Sequence, residues 1–497
     1  MKRVKGLLRW LVFSLFFTTT SLTAFTLDSL SLKNEQMGDF HPIQYFLRQD
    51  ISWHAAYPFL MQETQTEFYR AVLSYAKGGG MLVESLKPEA VKTIGFYSQS
   101  RKQLGSWSLQ GDFHYTRQVE IVRPFLLQRL GNQTNPFLLG QEQTSPWSGD
   151  LVAINLSGNA ARYKQGKLGN FFLVNYQVET SSMDAEPRPL YHRNEYQIQV
   201  GQNFRPNVQT EIGLAGRILK GNEENQLGVF AAQEFSLVFM RGLNTFSRNA
   251  FQSFTRNQFT EELALQFYGK YTFSNSSMVF VALKNGSRSA TIRDGIAFPL
   301  DGGSLRGNTY SIHSGLIIPF KAHDYQQHLS WEGSNGTALD PVFQAINYHF
   351  GTRTWQGVHT LSGKQANQVA ELYWSFKQQS DEDLAAGTQR RFSSLYFLAS
   401  NALSVLNYQN ASLFIRPGIG MFLPQSNSFP EGQLGIAQFV HHPNRLFYGG
   451  NHFEGQLACW LLLRSEKESI KLGADYSYRT QRSRSFSFLQ VNLSLIL

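Results

Sequence analysis

The chain has 497 residues, of which 42 % are hydrophobic and 14 % aromatic, with 40 Phe, 21 Tyr and a single Cys. Charged residues reach only 16 %, against about 25 % in ordinary soluble domains, and one cysteine excludes an internal disulfide framework. Four of the charges behind the formal +9 sit at Lys2, Arg3, Lys5 and Arg9; without them the chain carries about +5, too little and too dispersed for a nucleic-acid binder.

Those four basic residues open a three-part leader: a charged start, an apolar run from Trp10 to Phe17, then small and hydroxyl residues up to Ala24. This is the layout of a secretory signal over residues 1–24. The apolar run is shorter than the roughly 20 residues a spanning helix needs, which argues against an anchor. No Cys lies near the cleavage point, so a lipid-anchored mature terminus is excluded.

Residues 25–88 do not alternate. The stretch 62–75 has helix formers with Phe68, Val72 and Tyr75 on one stripe, stopped by Gly78-Gly79-Gly80. The expectation is a periplasmic or barrel-plugging segment with one or two short helices.

From residue 89 onward the period becomes two. Segments 93–100 and 106–117 flank a Lys-Gln-Leu-Gly turn, and a long connection, 118–149, holds Asn135-Pro136-Phe137. Further alternating segments are expected at 151–163, 168–180, 196–204, 208–219, 227–239, 263–273, 278–284 and 310–320. The rhythm resumes at 369–377, 395–408, 413–423, 453–463 and 470–478, and the last segment, 484–497, runs to the C-terminus. Cys459 sits in the apolar register of the 453–463 segment and reads as a small hydrophobe. In 470–478, Ile470, Leu472, Ala474, Tyr476 and Tyr478 alternate with Lys471, Gly473, Asp475, Ser477 and Arg479.

Ionisable groups at every second or third inward position would be costly in a dry sandwich core. Lined along a wet lumen they are ordinary. No later window offers 18 consecutive apolar residues, so helical spans are excluded, and only a closed barrel satisfies the backbone of an aromatic-rich chain in lipid. The fold class is therefore all-β: a transmembrane antiparallel β-barrel over residues 89–497, with about 16 strands (14–18) and a short, partly helical N-terminal prefix. Short turns on one side and long loops on the other suit the outer membrane of a Gram-negative envelope.

The lumen-lining candidates are Arg162, Glu179, Glu211, Arg217, Lys270, Glu371, Lys377, Arg416, Lys471, Asp475 and Arg479, whose opposed charges set solute selectivity or fill the barrel with salt bridges. No cofactor fingerprint is present: Asp301-Gly302-Gly303-Ser304 lacks the Gly-Lys-Ser run of a phosphate loop. His441-His442, with His452 nearby, read as solvated loop histidines rather than metal ligands. Ser311 and His313 share one face and are the pair a barrel hydrolase would use.

Asn135-Pro136-Phe137, the strand pair beginning at Leu151 and the segment Asp184-Ala185-Glu186-Pro187-Arg188-Pro189 together resemble a family of uncharacterised outer-membrane barrels found in Bacteroidota. The resemblance covers most of the mature chain. It implies a membrane location, no established activity, and association with envelope lipoproteins or a nutrient receptor. The expected partners are thus outer-membrane lipid and the barrel-assembly machinery, with no nucleic acid and no cofactor. The functions left open are a non-enzymatic solute channel or transport component, a subunit of an envelope complex, a barrel enzyme acting on lipid or protein, and a secreted β-rich adhesin.

Overall fold

The computed structural model describes residues 67–83, 86–123, 127, 135–141, 145–160, 168–183, 188–228, 235–251, 253–295, 300–321, 323–363, 368–408, 410–430, 441–464, 469–481 and 484–496. Their strands, in chain order, begin with β1 (Phe68–Gly80), β2 (Ala90–Leu104), β3 (Trp107–Arg123), β4 (Leu139–Gly140), β5 (Ser145–Ala160), β6 (Leu168–Met183) and β7 (Arg188–Phe204). Then come β8 (Thr210–Gly228), β9 (Phe235–Met240), β10 (Phe246–Phe251), β11 (Ser253–Thr272), β12 (Met278–Asp294), β13 (Leu300–Pro319) and β14 (His323–Asp340). The chain ends with β15 (Ala345–Gly363), β16 (Gln368–Asp383), β17 (Thr388–Tyr408), β18 (Ala411–Ser428), β19 (His452–Arg464), β20 (Ser469–Gln481) and β21 (Arg484–Ile496). A six-residue helix, α1 (His442–Phe447), carries Pro443 in its first turn.

Eighteen of these strands make one closed antiparallel sheet, and β4, β9 and β10 make a separate three-stranded one. Closure is carried by β1, which pairs with β2 (Val72 opposite Tyr97) and with β21 (Val72 opposite Ser494). Closing the ring leaves no edge strand with unpaired backbone groups, the condition for crossing a bilayer with strands.

The expected barrel is present, with 18 strands rather than about 16. The difference has named sources. The helix expected over 62–75 is overturned from Phe68 onward, since that stretch is β1, so the barrel starts at Phe68 and not after Pro88. Apolar residues fall on both faces of this strand, Val72 inward beside Arg70, Ser74 and Ala76 and Leu73 and Tyr75 outward, and this mimics a helical stripe. Strands β14 and β15 were also invisible to the alternation. Conversely, the single segment expected at 227–239 is divided: Leu227 and Gly228 end β8, whereas β9 belongs to the small sheet.

Strand direction sorts the connections onto two ends. Tight turns occupy the end where β1 begins and β21 finishes, such as Arg205–Gln209, where the Asn207 carboxamide oxygen accepts from the Gln209 and Thr210 N–H groups. Long connections occupy the other end. These are called the turn end and the loop end.

The outer wall changes character between them. On β11, Leu263, Leu265, Phe267, Tyr271 and, just past the strand, Phe273 are exposed. The ten steps from Leu263 to Phe273 span about 33 Å of strand, or about 25 Å of height at a tilt near 40°. Toward the loop end the same face becomes mostly polar, with Glu261 and Asn257 flanking the exposed Phe259 on β11 and Lys220, Asn222 and Gln226 on β8. An apolar belt thus lies nearest the turn end, and the strands continue above it as a polar collar.

Candidate functional site

The inward face is polar along most of the ring, and its charges meet in separate groups. Near the turn end Glu211, 1 % exposed, takes the Arg205 Nη2 at 3.0 Å, the Lys270 Nζ at 3.4 Å and the Asn203 amide at 3.0 Å. A second group joins Arg416 to Asp475 at 3.8 Å, with Gln456 donating to Asp475 at 3.4 Å and the Lys471 ammonium 5.1 Å over the Trp460 ring. In a third, Arg479 reaches Glu454 at 2.9 Å, and the Tyr396 hydroxyl donates to the same carboxylate at 3.1 Å.

The remaining candidates lie apart from these groups. Glu179 is buried on the inward face of β6, Arg217 is half-buried on β8, and Glu371 and Lys377 are half-buried on β16, the Lys377 ammonium 5.7 Å from the Phe392 ring. Arg162 lies outside the described residues. Missing from the sequence reading were Arg205, Asn203, Glu454 and Tyr396; Glu454 could have been found, because it alternates with the exposed Phe453 and Leu457.

The interior is not uniform. Inward positions 452, 454, 456, 458, 460 and 462 of β19 are all buried, as are the inward positions of β11 from 260 to 270. Across β14 and β15 the pattern differs: 352, 354, 356, 358, 360 and 362 are all half-buried, as are 326, 328, 332 and 334, with the buried Ser330 between them. The expected wet interior is therefore restricted to part of the wall, while Lys471 and Asp475 are 5 % and 4 % exposed and packed among neighbours.

Above the lumen, the loop end is spanned by a cap. It consists of residues 127 and 135–141, which include β4, the strap formed by β9 and β10 with residues 241–245 between them, and residues 441–451, which include α1. The Asn135-Pro136-Phe137 motif is one anchor. The Asn135 side chain accepts from the Phe137 N–H at 2.9 Å and donates to Gln258 at 2.9 Å, and the Phe137 carbonyl accepts from Arg256 at 3.0 Å. Arg256 is itself paired with Asp294 at 2.7 Å. The Phe137 ring lies over Gly303, whose φ of +118° and lack of a Cβ permit the approach.

Three apolar clusters fix the cap around the ring. Leu127, Leu139, Leu237 and Phe239 pack with Trp147, Met183, Tyr191 and Phe254 of the wall. Phe137 and Leu243 pack with Ile292, Leu305, Tyr348 and Phe350. Phe447 and Tyr448 pack with Leu82 and Phe392. Each large side chain buried in this way contributes about 1.5–3 kcal/mol.

Polar latches complete the attachment. Asp383, fully buried at the end of β16, accepts from the Asn244 N–H (3.2 Å), the Thr245 N–H (3.3 Å), the Thr245 hydroxyl (3.0 Å) and the Ala386 N–H (3.0 Å). A Cβ at Gly242 would stand 2.1 Å from this carboxylate, so only glycine fits there. Asn347 donates to the Arg241 carbonyl at 3.4 Å.

His441 contradicts the expectation of a solvated loop. It is 1 % exposed and its Nε2 donates to the Leu243 carbonyl at 2.9 Å. Burial, helped by the nearby Arg390 and Arg445 charges, pushes its pKa from the ordinary 6.5 down to about 4, against the raising effect of the Leu243 bond. His452 is equally buried and donates to the Phe447 carbonyl at 2.6 Å, whereas His442 is exposed. Among the described residues no group of three or more His, Cys, Asp or Glu is placed to hold a metal.

Ser311 and His313 face the lumen and not lipid. His313 lies 3.5 Å from Glu332 and stacks on His328 at 6.2 Å. A lipase-like site at the lipid-facing rim cannot be assembled from this pair.

Residues 58–497 match the family described as "Family of unknown function (DUF6850)". No curated protein matches the chain. Among solved structures, the unliganded ferric citrate transporter FecA is 9 % identical, with 86 % of this chain and 79 % of that chain covered and a TM-score of 0.44. The alcaligin receptor FauA of Bordetella pertussis is 7 % identical over 87 % and 76 %, at 0.43. OccK11 of Pseudomonas aeruginosa is 10 % identical over 87 % and 96 %, at 0.33.

Proposed function

Starting from a chain that belongs to the family DUF6850, whose function is unknown, we propose a non-enzymatic outer-membrane barrel that passes a polar solute. One observation carries the reading: a closed 18-stranded ring with an apolar belt outside and hydrogen-bonding side chains inside. The belt height of about 25 Å fits the hydrocarbon thickness that outer-membrane barrels cross. In this reading the turn end faces the periplasm and the capped loop end faces outward, with the polar collar above the lipid.

The partners in this reading are outer-membrane lipid along the belt and the barrel-assembly machinery at the closing strand β21. The cap supports one second reading, a subunit of an envelope complex, because the described parts of three long connections pack against the wall at the loop end. Planar-bilayer recording separates the two. Purified, folded barrel that conducts potassium chloride supports solute passage, and a silent barrel removes it in favour of the subunit role. Heat-dependent migration on a gel after detergent extraction tests the membrane barrel itself, and extraction without detergent would count against it.

A further inference from the structure

Half-buried inward residues run along β14 and β15, interrupted by the buried Ser330, and also along 112–118 of β3 and 193–197 of β7, while the inward faces of β11 and β19 are covered. A solute crossing the barrel contacts the parts of the wall that are not already packed. The β3 and β7 stretches carry Asp112, Arg193 and Glu195, whereas the β14–β15 strip is built of neutral groups around one carboxylate. Gln326 and Ser334 of β14 and Thr352, Thr354 and Gln356 of β15 are half-buried and uncharged, and the Ser334 and Thr352 hydroxyls hydrogen-bond at 2.8 Å. Glu332 is the carboxylate among them, 41 % exposed and 3.5 Å from His313. The ion pairs Glu211–Lys270 and Arg416–Asp475 lie on the covered wall instead.

Hydroxyls and primary amides both donate and accept. A wall of such groups can exchange a hydroxylated solute's water contacts one for one, without stripping water from a fixed charge. From this we infer that the β14–β15 strip is the solute-binding wall of the lumen and that it takes uncharged, polyhydroxylated solutes of the small-sugar class. The inference rests on the reading that the barrel passes a solute. An anionic sugar meets Glu332 with repulsion, and the neighbouring cation, Lys377 opposite Thr354 on β16, is drawn toward the Phe392 ring at 5.7 Å. A cationic sugar meets one carboxylate already placed against His313.

The test is osmotic swelling of proteoliposomes in glucose, glucosamine and glucuronate, with the full-length barrel and with Asp383→Asn to loosen the cap. Heat-shifted migration verifies that each variant is folded. Glucose is expected to enter fastest. Thr354→Val combined with Gln356→Leu is expected to slow glucose at least threefold, with potassium chloride conductance within twofold. Asn492→Ala, on the covered wall, leaves glucose entry unchanged. Should the double variant not fold, Ser334→Leu is expected to act in the same direction. Faster entry of either charged sugar overturns the solute class. Equal slowing by Asn492→Ala, or no slowing by any folded strip variant, overturns the strip. No swelling and no conductance from either wild type or Asp383→Asn instead removes the solute-passing reading on which the inference rests.

Discussion

Two buried carboxylates show how differently the ends of this barrel are held. Glu211, near the turn end, is met by Arg205 and Lys270 and the Asn203 amide. Asp383, near the loop end, is held instead by backbone N–H groups and a hydroxyl of the strap. Glu211 joins strands that are already neighbours through β8, so its bonds are broken only by unfolding the wall. Asp383 joins the wall to a strap whose strands lie outside the eighteen-stranded ring. The first is a weld and the second a latch: the turn end should respond to mutation as a change in global stability, the loop end as a change in cap opening.

Removing one member of the weld should have the largest effect. Lys270→Met takes a cation from the buried Glu211, and breaking a buried pair from one side costs about 3–5 kcal/mol; urea unfolding in detergent should show one cooperative transition moved to lower denaturant. A change confined to the loop end would contradict the weld. Next, Leu265→Arg places a charge in the apolar belt at about 2–4 kcal/mol, whereas Asn257→Arg in the collar should assemble normally. Equal yields of heat-shifted barrel from both would remove the distinction between belt and collar.

At the latch, Asp383→Ala orphans the Asn244, Thr245 and Ala386 donors at a cost of about 3 kcal/mol. Limited proteolysis between residues 235 and 251 should accelerate while the unfolding transition stays in place. Acid should act on the same attachment through His441. Its pKa is about 4 with the strap closed and returns toward 6.5 when open, so the open form binds the proton first as pH falls. Closure is fully stable above about 6.5, weakens through the window down to 4 and loses no more below it, by up to about 3 kcal/mol. Strap cleavage at pH 5 that matches pH 7.5 would show that His441 is not a closing contact. The smallest effect belongs to the exposed pair Lys220–Glu261, 3.0 Å apart on the collar. Lys220→Ala should leave both unfolding and cleavage unchanged.

Much of the wall was legible because belt and lumen impose opposite polarity on successive residues. Ile470 to Tyr478 shows this: its apolar residues are exposed at 40–45 % for Ile470, Leu472, Tyr476 and Tyr478, and Lys471 and Asp475 point inward. Legibility failed where that contrast disappears. On β14 and β15 the lumen side carries Ser334, Thr352 and Thr354, and the collar side carries Asn335 and Arg353, so neither face reads as apolar. The helix misread at β1 has a related cause: Val72 faces inward while Leu73 and Tyr75 face outward, so apolar residues on both faces hide the alternation.

The cap was not legible at all, because its contacts join positions far apart in sequence, such as His441 with Leu243 and Asp383 with Thr245. Asn135-Pro136-Phe137 stood out as a motif, yet its role depends on Arg256, Gln258 and Gly303, which no local pattern connects to it. For the charged candidates, the inward face could be inferred from phase alone. Which of them would pair could not, since cross-strand register is set by turns and bulges.

Cys459 lies on the outward face of β19, exposed between Leu457 and Leu463 within the apolar belt. As the chain's single thiol, it is a natural depth marker: a water-borne maleimide should reach it in the denatured chain and be denied it once lipid closes over the belt, while a hydrophobic reagent dissolved in the bilayer keeps access. The protein thus reports its own insertion without an added label.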